Sequence, residues 1–454
     1  MTINLSLQSV NHNYLRIILA ILTTIAIFVS SNSLAINIPF AGNYKNLLIP
    51  ALALLIILDL GLINNNLKEK VHRRKLDFSE YFPFLIFLLS ITFASIFSIS
   101  PDRSLRQILI LIFFFLIYLS ILQLPEYSIR FSKCLAISMV ISAIFSFLLP
   151  LSFKDWIKLD LGNLFKAETL YYNRYALLRL DRNVPVGSFF LTIPLFYYYH
   201  RFSKFNSSFN LTLITAATIA TNGRAIVITA AFAILMYLYL VKSILNQKFF
   251  GPKKNASTLL LLLVSSLLSL VVSYKIFGIN ILSRMFLIRE KDRQSIVARF
   301  NYLTIAANIF KAKPFYGVGV NNYRLAEPEA ALTGNPAPGL FTNNDIYRFS
   351  KADHAHNAIF THLAETGIFG AASLIFLFYS IVRHDISNLS QLKKVYKTHY
   401  LSVTAFYLSQ VSISWSFIFI SIIAGEWTAY SLLVFFVSRG LAVTTRYTII
   451  GNQI

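Results

Sequence analysis

The chain alternates between apolar blocks of about 20 residues and shorter polar connections. A bilayer with a hydrocarbon core about 30 Å thick is crossed by roughly 20 apolar residues in a helix. Each block therefore predicts a helix, because backbone groups in hydrocarbon must pair within their own segment. Twelve spans are predicted, near residues 15–31, 47–63, 81–99, 104–124, 131–152, 183–199, 209–221, 225–241, 257–277, 356–382, 399–420 and 425–441.

Composition supports the same class of protein. The residues AVILMFWYC make up 56% of the chain, and charged residues only 13%, against about 25% in soluble domains. The single cysteine, Cys134, excludes a disulfide within the chain and a cysteine-based metal cluster. A net charge of +22 would indicate nucleic acid in a soluble protein. Here the position of the charges matters more, and no nucleic-acid partner is expected.

Alternate connections differ in their content of Lys and Arg. The connections at 64–80, 125–133, 200–208, 242–256 and 383–398 hold 17 basic residues, whereas those at 32–46, 100–103, 221–224 and 421–424 hold 3. The positive-inside rule makes the first set cytoplasmic, together with both termini. The first span is not expected to be a cleaved signal peptide, because its leader lacks a cationic region and eleven spans follow.

Two long outer connections, 153–182 and 278–355, are basic in spite of that rule. Long loops cross membranes regardless of charge, so a merely solvated basic loop is one explanation. The kind of cation favours another, because arginine supplies 9 of the 16 outer basic residues but only 5 of the 17 inner ones. Arginine binds phosphate oxygens bidentately. We infer an outward-facing site for a phosphorylated ligand, with Arg174, Arg179, Arg182, Arg284, Arg289, Arg293, Arg299, Arg324 and Arg348 as the outer arginines.

The second of these connections contains a helical pattern and a glycine turn. Apolar residues recur at intervals of three and four between 295 and 310, which predicts an amphipathic helix across the outer face with Arg299 on it. Pro314 is expected to end the helix, and Gly317 and Gly319 permit a tight turn. An irregular lid is expected over 333–349.

His356 and Asn357 open the tenth span. An imidazole at the outer rim, opposite arginines, can accept a proton from a sugar hydroxyl, since its ordinary pKa is near 6.5. The alternative is a histidine that only caps a helix or bonds a carbonyl. Nine residues after the pair comes the sequence GIFG, at 367–370.

The order of these motifs resembles the O-antigen ligase and polymerase superfamily of bacterial glycan assembly. The resemblance covers about 170–382 and rests on ARFNYLTIAANIFKAKPFYGVGVNNY followed by HN, nine residues and GxxG. It implies that His356 is the essential histidine and Arg299 the arginine of the outer helix. It also implies that Arg224, in TNGRA, is the arginine between the seventh and eighth spans, and that Arg182, in DRNVPVG, is a fourth member.

The resemblance further implies an inverting glycosyltransferase that needs no metal or other cofactor. Its donor is a glycan on undecaprenyl pyrophosphate, its leaving group is the pyrophosphate held by the arginines, and His356 deprotonates the acceptor hydroxyl. The layout with one such motif and one long outer loop favours an O-antigen ligase acting on lipid A-core at the periplasmic face of the bacterial inner membrane. Supporting roles are expected for Arg179, Asn357, Glu365 and Glu426.

Other interpretations stay open at this stage. A polymerase that joins carrier-linked repeat units shares the donor, the arginines and the base. A lipid-carrier or anion transporter needs charges at mid-membrane, whereas these cations lie near the rim. A metal cluster around His354 and His356 is disfavoured because an H-x-H pair on a helix points to different sides. Glu365 either orients His356 or bonds a neighbouring helix.

The expected architecture is all-α and polytopic, with a long periplasmic loop that contains amphipathic helices. Residues 1–152 are expected to hold spans one to five, and 153–277 an outer segment and spans six to nine. Residues 278–355 form the large outer loop, and 356–454 hold the last three spans.

Overall fold

A computed structural model of the protein describes residues 77–123, 186–202, 207–220, 224–245, 290–333, 354–395, 401–425 and 429–450, with parts of 132–143 and 260–267. Within them the chain is helical and contains no strand. The helices are α1 (Phe78–Ile96), α2 (Pro101–Gln123), α3 (Val186–Phe202), α4 (Ser207–Ala220), α5 (Arg224–Leu245), α6 (Glu290–Ala312), α7 (Tyr323–Thr333), α8 (Ala358–Val395), α9 (Leu401–Ala424) and α10 (Ala429–Ile450).

Eight of these helices coincide with predicted spans; α6 and α7 lie in the predicted outer loop. Four helices are long and apolar enough to cross a membrane by length and composition: Phe78–Ile96, Ala225–Leu245, Ala358–Lys394 and Leu401–Ala424. A shorter apolar helix covers Ser208–Ile219. The chain is thus a multi-pass membrane protein, and the count of twelve stays a prediction. The predicted spans at 15–31 and 47–63 lie outside the described residues, and those at 131–152 and 257–277 do so in part.

The core of the bundle forms around α9. This helix packs against α3, α5 and α10, while α8 packs against α1 and α10 against α2. Several serines of α9 donate to the carbonyl four residues earlier, as Ser416 does to Ser412 at 2.7 Å. A buried hydroxyl that is satisfied within its own helix leaves small side chains at the helix–helix contact, so neighbouring backbones approach closely.

Helix α8 is kinked at Gly367, where φ is 64° and ψ is −162°. The kink separates a short first part, 358–366, from a long second part, 368–395. The second part extends well beyond the predicted end of the span at 382, because the polar residues that follow continue the helix. The kink brings the first part against the outer segment that contains α6 and α7.

The outer helix α6 extends over Glu290–Ala312, so the prediction of a helix at 295–310 is confirmed. Its packed side differs from the apolar stripe in the sequence. Ile305, Ala306 and Ile309 are buried, whereas Phe300 of the predicted stripe is 62% exposed. Phe300 is left on the surface, while Leu303 of the same stripe is partly buried against the cluster that α6 forms with α7 and the start of α8.

Candidate functional site

His356 lies directly before α8, in a left-handed backbone conformation with φ of 54°. Asn357 caps the helix, since its side-chain Oδ1 accepts from the backbone N–H of Phe360 at 3.1 Å. The Thr361 hydroxyl donates to the backbone oxygen of Asn357 at 2.8 Å and accepts from the N–H of Ala355 at 3.1 Å. These bonds fix the backbone on both sides of His356 and so define the direction of its side chain.

The end of α9 packs against the backbone of His356 and Asn357, which we call the His356 corner. The Asn357 amide donates to the backbone oxygen of Ile422 at 2.8 Å. Gly425 follows the last residue of α9 with φ of 65°, and a Cβ there would lie 2.7 Å from the Asn357 nitrogen and 2.8 Å from the His356 carbonyl carbon. Only glycine permits both the conformation and this approach. The sequence analysis did not single out Gly425, although a glycine directly after an apolar block is a helix-end signal.

Two aromatic rings flank the His356 imidazole. The ring of Tyr302, from α6, lies 5.6 Å from it between centroids, and the ring of His354 lies 4.6 Å away. The expectation that His354 and His356 point to different sides was wrong, because both residues precede the helix. No group of three metal-binding side chains occurs among the residues that the structure describes.

Arg299 lies on α6, three residues before Tyr302, and its side chain is exposed. Residues three apart on a helix lie on the same face. Since Tyr302 lies beside the His356 ring, Arg299 is within one helical turn of that contact. The structure thus joins the helix of the predicted arginine to the predicted base.

The other predicted cations are described only in part. Arg224 is the first residue of α5, so it stands at the end of a helix, as a rim residue would. Its side chain lies outside the described part of the structure, as do Arg179, Arg182 and Glu426.

Glu365 bonds a neighbouring helix, which was one of the two expectations for it. Its side-chain Oε1 accepts from the backbone N–H of Tyr323 at 3.1 Å, and the N–H groups of Asn321 and Asn322 also face the carboxylate. The carboxyl group therefore lies at the N-terminus of α7, where it accepts from backbone N–H groups that have no partner within the helix. Glu365 supports the outer segment through this bond.

The glycine turn packs backbone to backbone against the kink of α8. Val318 and Gly319 donate to the carbonyls of Ala364 and Glu365, at 3.1 and 2.7 Å. In return Ile368 donates to the carbonyl of Pro314 at 2.8 Å. A Cβ on Gly317 would collide with the backbone of Glu365. A Cβ on Gly367 would in turn collide with the backbone of Phe315, so Gly317 and Gly367 are required by one close contact, although they are 50 residues apart in sequence.

Asn322 joins this turn to the connection between α1 and α2. Its amide nitrogen lies 2.6 Å from the Ser98 hydroxyl, 3.0 Å from the Ser104 hydroxyl and 3.2 Å from the Val318 carbonyl. Ser104 in turn donates to the carbonyl of Val320 at 2.8 Å. The segment from 314 to 322 is therefore clamped between α8 and the α1–α2 connection, so the position of α6 relative to His356 is defined.

A small apolar core lies beneath the site. It contains Ile305 and Ile309 of α6 and Ala364 of α8. Tyr323 is buried in it and donates its hydroxyl to the Tyr302 carbonyl at 2.8 Å. Burial raises the pKa of the Tyr323 hydroxyl, so this hydroxyl is a donor at every physiological pH.

Connections that the charge pattern assigns to the outside meet here. The α1–α2 connection contacts the glycine turn, and the start of α8 contacts the end of α9. Three segments predicted on one side of the membrane therefore lie at one end of the bundle. Their position at the same end of the bundle agrees with the predicted topology, in which all three lie on the same side of the membrane.

Comparison of the chain with known proteins and families gives one family match. No curated protein matches the chain. A sequence model of the family described as O-antigen ligase matches residues 209–375, which run from α4 into the second part of α8 and include α6, the glycine turn and His356. This match confirms the resemblance inferred from the motifs: residues 209–375 of the chain are similar to the O-antigen ligase family.

Proposed function

We propose that this protein is an O-antigen ligase, an inverting and metal-independent glycosyltransferase. It moves a glycan from undecaprenyl pyrophosphate to lipid A-core at the periplasmic face of the inner membrane. The family match supports a ligase or polymerase in general. The observation that carries the proposal is the contact of Tyr302 with the His356 ring, because it brings the helix of Arg299 against the predicted base.

His356 acts as the general base in this proposal. A neutral imidazole nitrogen takes the proton of an acceptor hydroxyl while the oxygen attacks the anomeric carbon of the donor sugar. The bond from that carbon to the pyrophosphate oxygen breaks on the opposite face, so the configuration inverts and undecaprenyl pyrophosphate leaves. The cap by Asn357 and the contact with Gly425 support this role, since a base must hold its direction relative to the substrate.

Arginines hold the leaving group. Negative charge grows on the pyrophosphate as the glycosidic bond breaks, and preplaced cations stabilise it most in the transition state. Arg299, Arg224 and Arg182 are proposed for this role, with Arg179 beside them. The loss of one such donor costs about 2.7–4 kcal/mol in other enzymes, which corresponds to a rate loss of 10²–10³.

A reconstituted transfer assay tests the proposal. The purified full chain is given a donor with several repeat units on undecaprenyl pyrophosphate, together with lipid A-core as acceptor. Transfer to lipid A-core with release of undecaprenyl pyrophosphate is expected. Longer carrier-linked chains without transfer to core would show a polymerase instead, and no reaction with either acceptor would contradict both.

Substitutions then assign the residues. His356→Ala and Arg299→Ala are expected to abolish transfer while the protein still inserts and accumulates normally. Lys311→Ala is the matched control for Arg299, because Lys311 is an exposed cation on the same helix. Normal transfer by the His356 or Arg299 variant, at an equal protein level, would refute the assignment.

A further inference from the structure

The spanning helices α1 and α8 each expose a stripe of apolar side chains. On α1 the stripe contains Leu89, Phe93 and Ile96, which are spaced by four and three residues. On α8 it begins directly after the kink, and its exposed members are Ile368, Phe369, Ile375, Phe376 and Tyr379. Both helices are long and apolar enough to cross a membrane, so lipid chains cover these two stripes.

Two aromatic residues of the outer segment extend the stripes. Phe315 and Tyr316 lie in the turn between α6 and α7. The Tyr316 ring lies 4.6 Å from the ring of Phe97, which directly follows α1 and lies 5.6 Å from that of Phe93. The Phe315 ring lies 6.3 Å from the ring of Phe369 on α8. Phe315 is 61% exposed, Phe97 46% and Phe369 52%, so this row of rings lies on the surface and not in a core.

The lengths of the two helices place the row near the boundary of the hydrocarbon core. Asp77 caps the other end of α1, and Phe97 follows it by 20 residues, roughly 30 Å at about 1.5 Å per residue. That distance equals the thickness of the core, about 30 Å. On α8 the exposed Arg383 follows Gly367 by 16 residues, roughly 24 Å. Because an exposed charge is costly in hydrocarbon, Arg383 lies at or beyond one boundary, and Gly367 therefore lies no further out than the other.

The backbone of the turn is suited to this depth. Irregular backbone is tolerated within a membrane only where it is buried in protein or lines a cavity. Gly317, Val318 and Gly319 are buried, and each of their N–H groups donates to a carbonyl of the protein. The bond from the Ile368 N–H to the Pro314 carbonyl holds the turn at the level of the kink. The turn can thus present aromatic rings to lipid without exposing these N–H groups.

We propose that Phe315 and Tyr316, which we call the aromatic anchor, enter the leaflet nearer His356 and contact the chains of membrane phospholipids. Aromatic side chains are enriched at the boundary between hydrocarbon and water. The occupant is lipid because the anchor continues the lipid-covered faces of two spanning helices. The anchor follows the last residue of α6 by three residues, so it holds the helix of Arg299 and Tyr302 at the membrane surface. This inference does not depend on the transfer reaction, since its test measures lipid contact.

Spin labelling of the full chain in phospholipid nanodiscs tests the proposal. Cys134 is the single cysteine, so a Cys134→Ser background permits a nitroxide at one chosen position. Labels are placed by Phe315→Cys and, in a second protein, by Tyr316→Cys. The references are Phe369→Cys on the lipid-covered stripe and Lys311→Cys on the exposed surface of α6. Power-saturation electron paramagnetic resonance compares collisions of each label with oxygen, which concentrates in lipid, and with a water-soluble nickel chelate.

The expected result is that labels at 315 and 316 collide more with oxygen than with the chelate, as the label at 369 does, whereas the label at 311 shows the reverse. Collisions mainly with the chelate at 315 and 316 would overturn the proposal, since the anchor would then lie in water. Low collision with both reagents would also overturn it, because protein, such as a second copy of the chain, would then cover the anchor.

A second measurement tests the consequence for α6. Phe315→Asp places a charge at the boundary, so it should increase the amide hydrogen exchange of 305–312 severalfold in nanodiscs. Phe315→Leu keeps an apolar side chain and is the matched control, with exchange close to that of the wild type. Equal exchange in the two variants would contradict the role of the anchor in holding α6.

Discussion

Replacement of Gly425 by alanine tests how tightly the end of α9 holds the corner at His356. The new Cβ would lie 2.7 Å from the Asn357 nitrogen, 2.8 Å from the His356 carbonyl carbon and 3.0 Å from His354 Cδ2. Ordinary contacts of a Cβ begin at 3.4 Å, so the two backbones must separate by about 0.7 Å. An L-residue in the left-handed conformation adds about 1–2 kcal/mol. Overpacking against backbone adds about 1–3 kcal/mol.

The expected result is a large loss of transfer with a modest loss of stability. A base that is displaced by about 1 Å can cost a reaction 10²-fold. Separation of the backbones also strains the bond from the Asn357 amide to the Ile422 carbonyl. We therefore expect Gly425→Ala to lower the turnover of the reconstituted enzyme by roughly 10- to 100-fold, with inserted protein still present.

Gly440→Ala is the matched control for this experiment. A Cβ at Gly440, in α10, would lie 2.9 Å from the Cγ2 atom of Ile121, so it is also overpacked. It adjoins Arg439 in sequence, and its Cβ would meet Ile121 rather than the residues around His356. Wild-type turnover in Gly425→Ala would refute the reasoning, and so would an equal loss in both variants.

Three further substitutions probe the outer segment and the buried ion pair between Asp385 of α8 and Arg439 of α10. Glu365→Ala should loosen α7 and increase the amide hydrogen exchange of 317–333, whereas Glu365→Gln, which keeps an acceptor for the Tyr323 N–H, should change it much less; the same exchange in both variants would contradict the capping role. Asn322→Ala removes the side chain that joins Ser98 and Ser104 to the glycine turn, so it should lower the free energy of unfolding by about 1–3 kcal/mol and expose the turn to proteolysis; unchanged cleavage there would contradict the clamp. Asp385→Ala leaves the buried Arg439 without its carboxylate partner, so it should lower the free energy of unfolding by about 3–5 kcal/mol. The measurement is the thermal unfolding temperature, and a variant as stable as the wild type would contradict the prediction.

The sequence predicted the helices well where one physical rule determines them. Eight apolar blocks appear as helices because an uninterrupted run of apolar residues has no other stable form in hydrocarbon. The end of α6 before Pro314 and the contact made by the glycine turn follow from proline and glycine chemistry in the same way. The motif around His356 indicated the resemblance to the O-antigen ligase family, and the family match over residues 209–375 confirms that resemblance.

The pattern of apolar and polar residues could not predict contacts between residues that are far apart in the sequence. Glu365 and Tyr323 are 42 residues apart, and Asn322 and Ser98 are 224 apart, so no local period indicates either bond. The packed side of α6 was missed because the helix has apolar residues on more than one side, and those that are buried include Ile305 and Ile309, which lie outside the predicted stripe. The His354–His356 contact was missed since a helical geometry was assumed for residues that precede the helix.

The central claim is that arginines bind the carrier pyrophosphate while His356 acts on the acceptor. Separate measurement of donor binding and of glycan transfer, on the same purified variants, tests it most directly. The account predicts that His356→Ala binds undecaprenyl-pyrophosphate-linked glycan as the wild type does but transfers none, whereas Arg299→Ala weakens donor binding as well. Normal donor binding and transfer in Arg299→Ala, or transfer by His356→Ala, would contradict it.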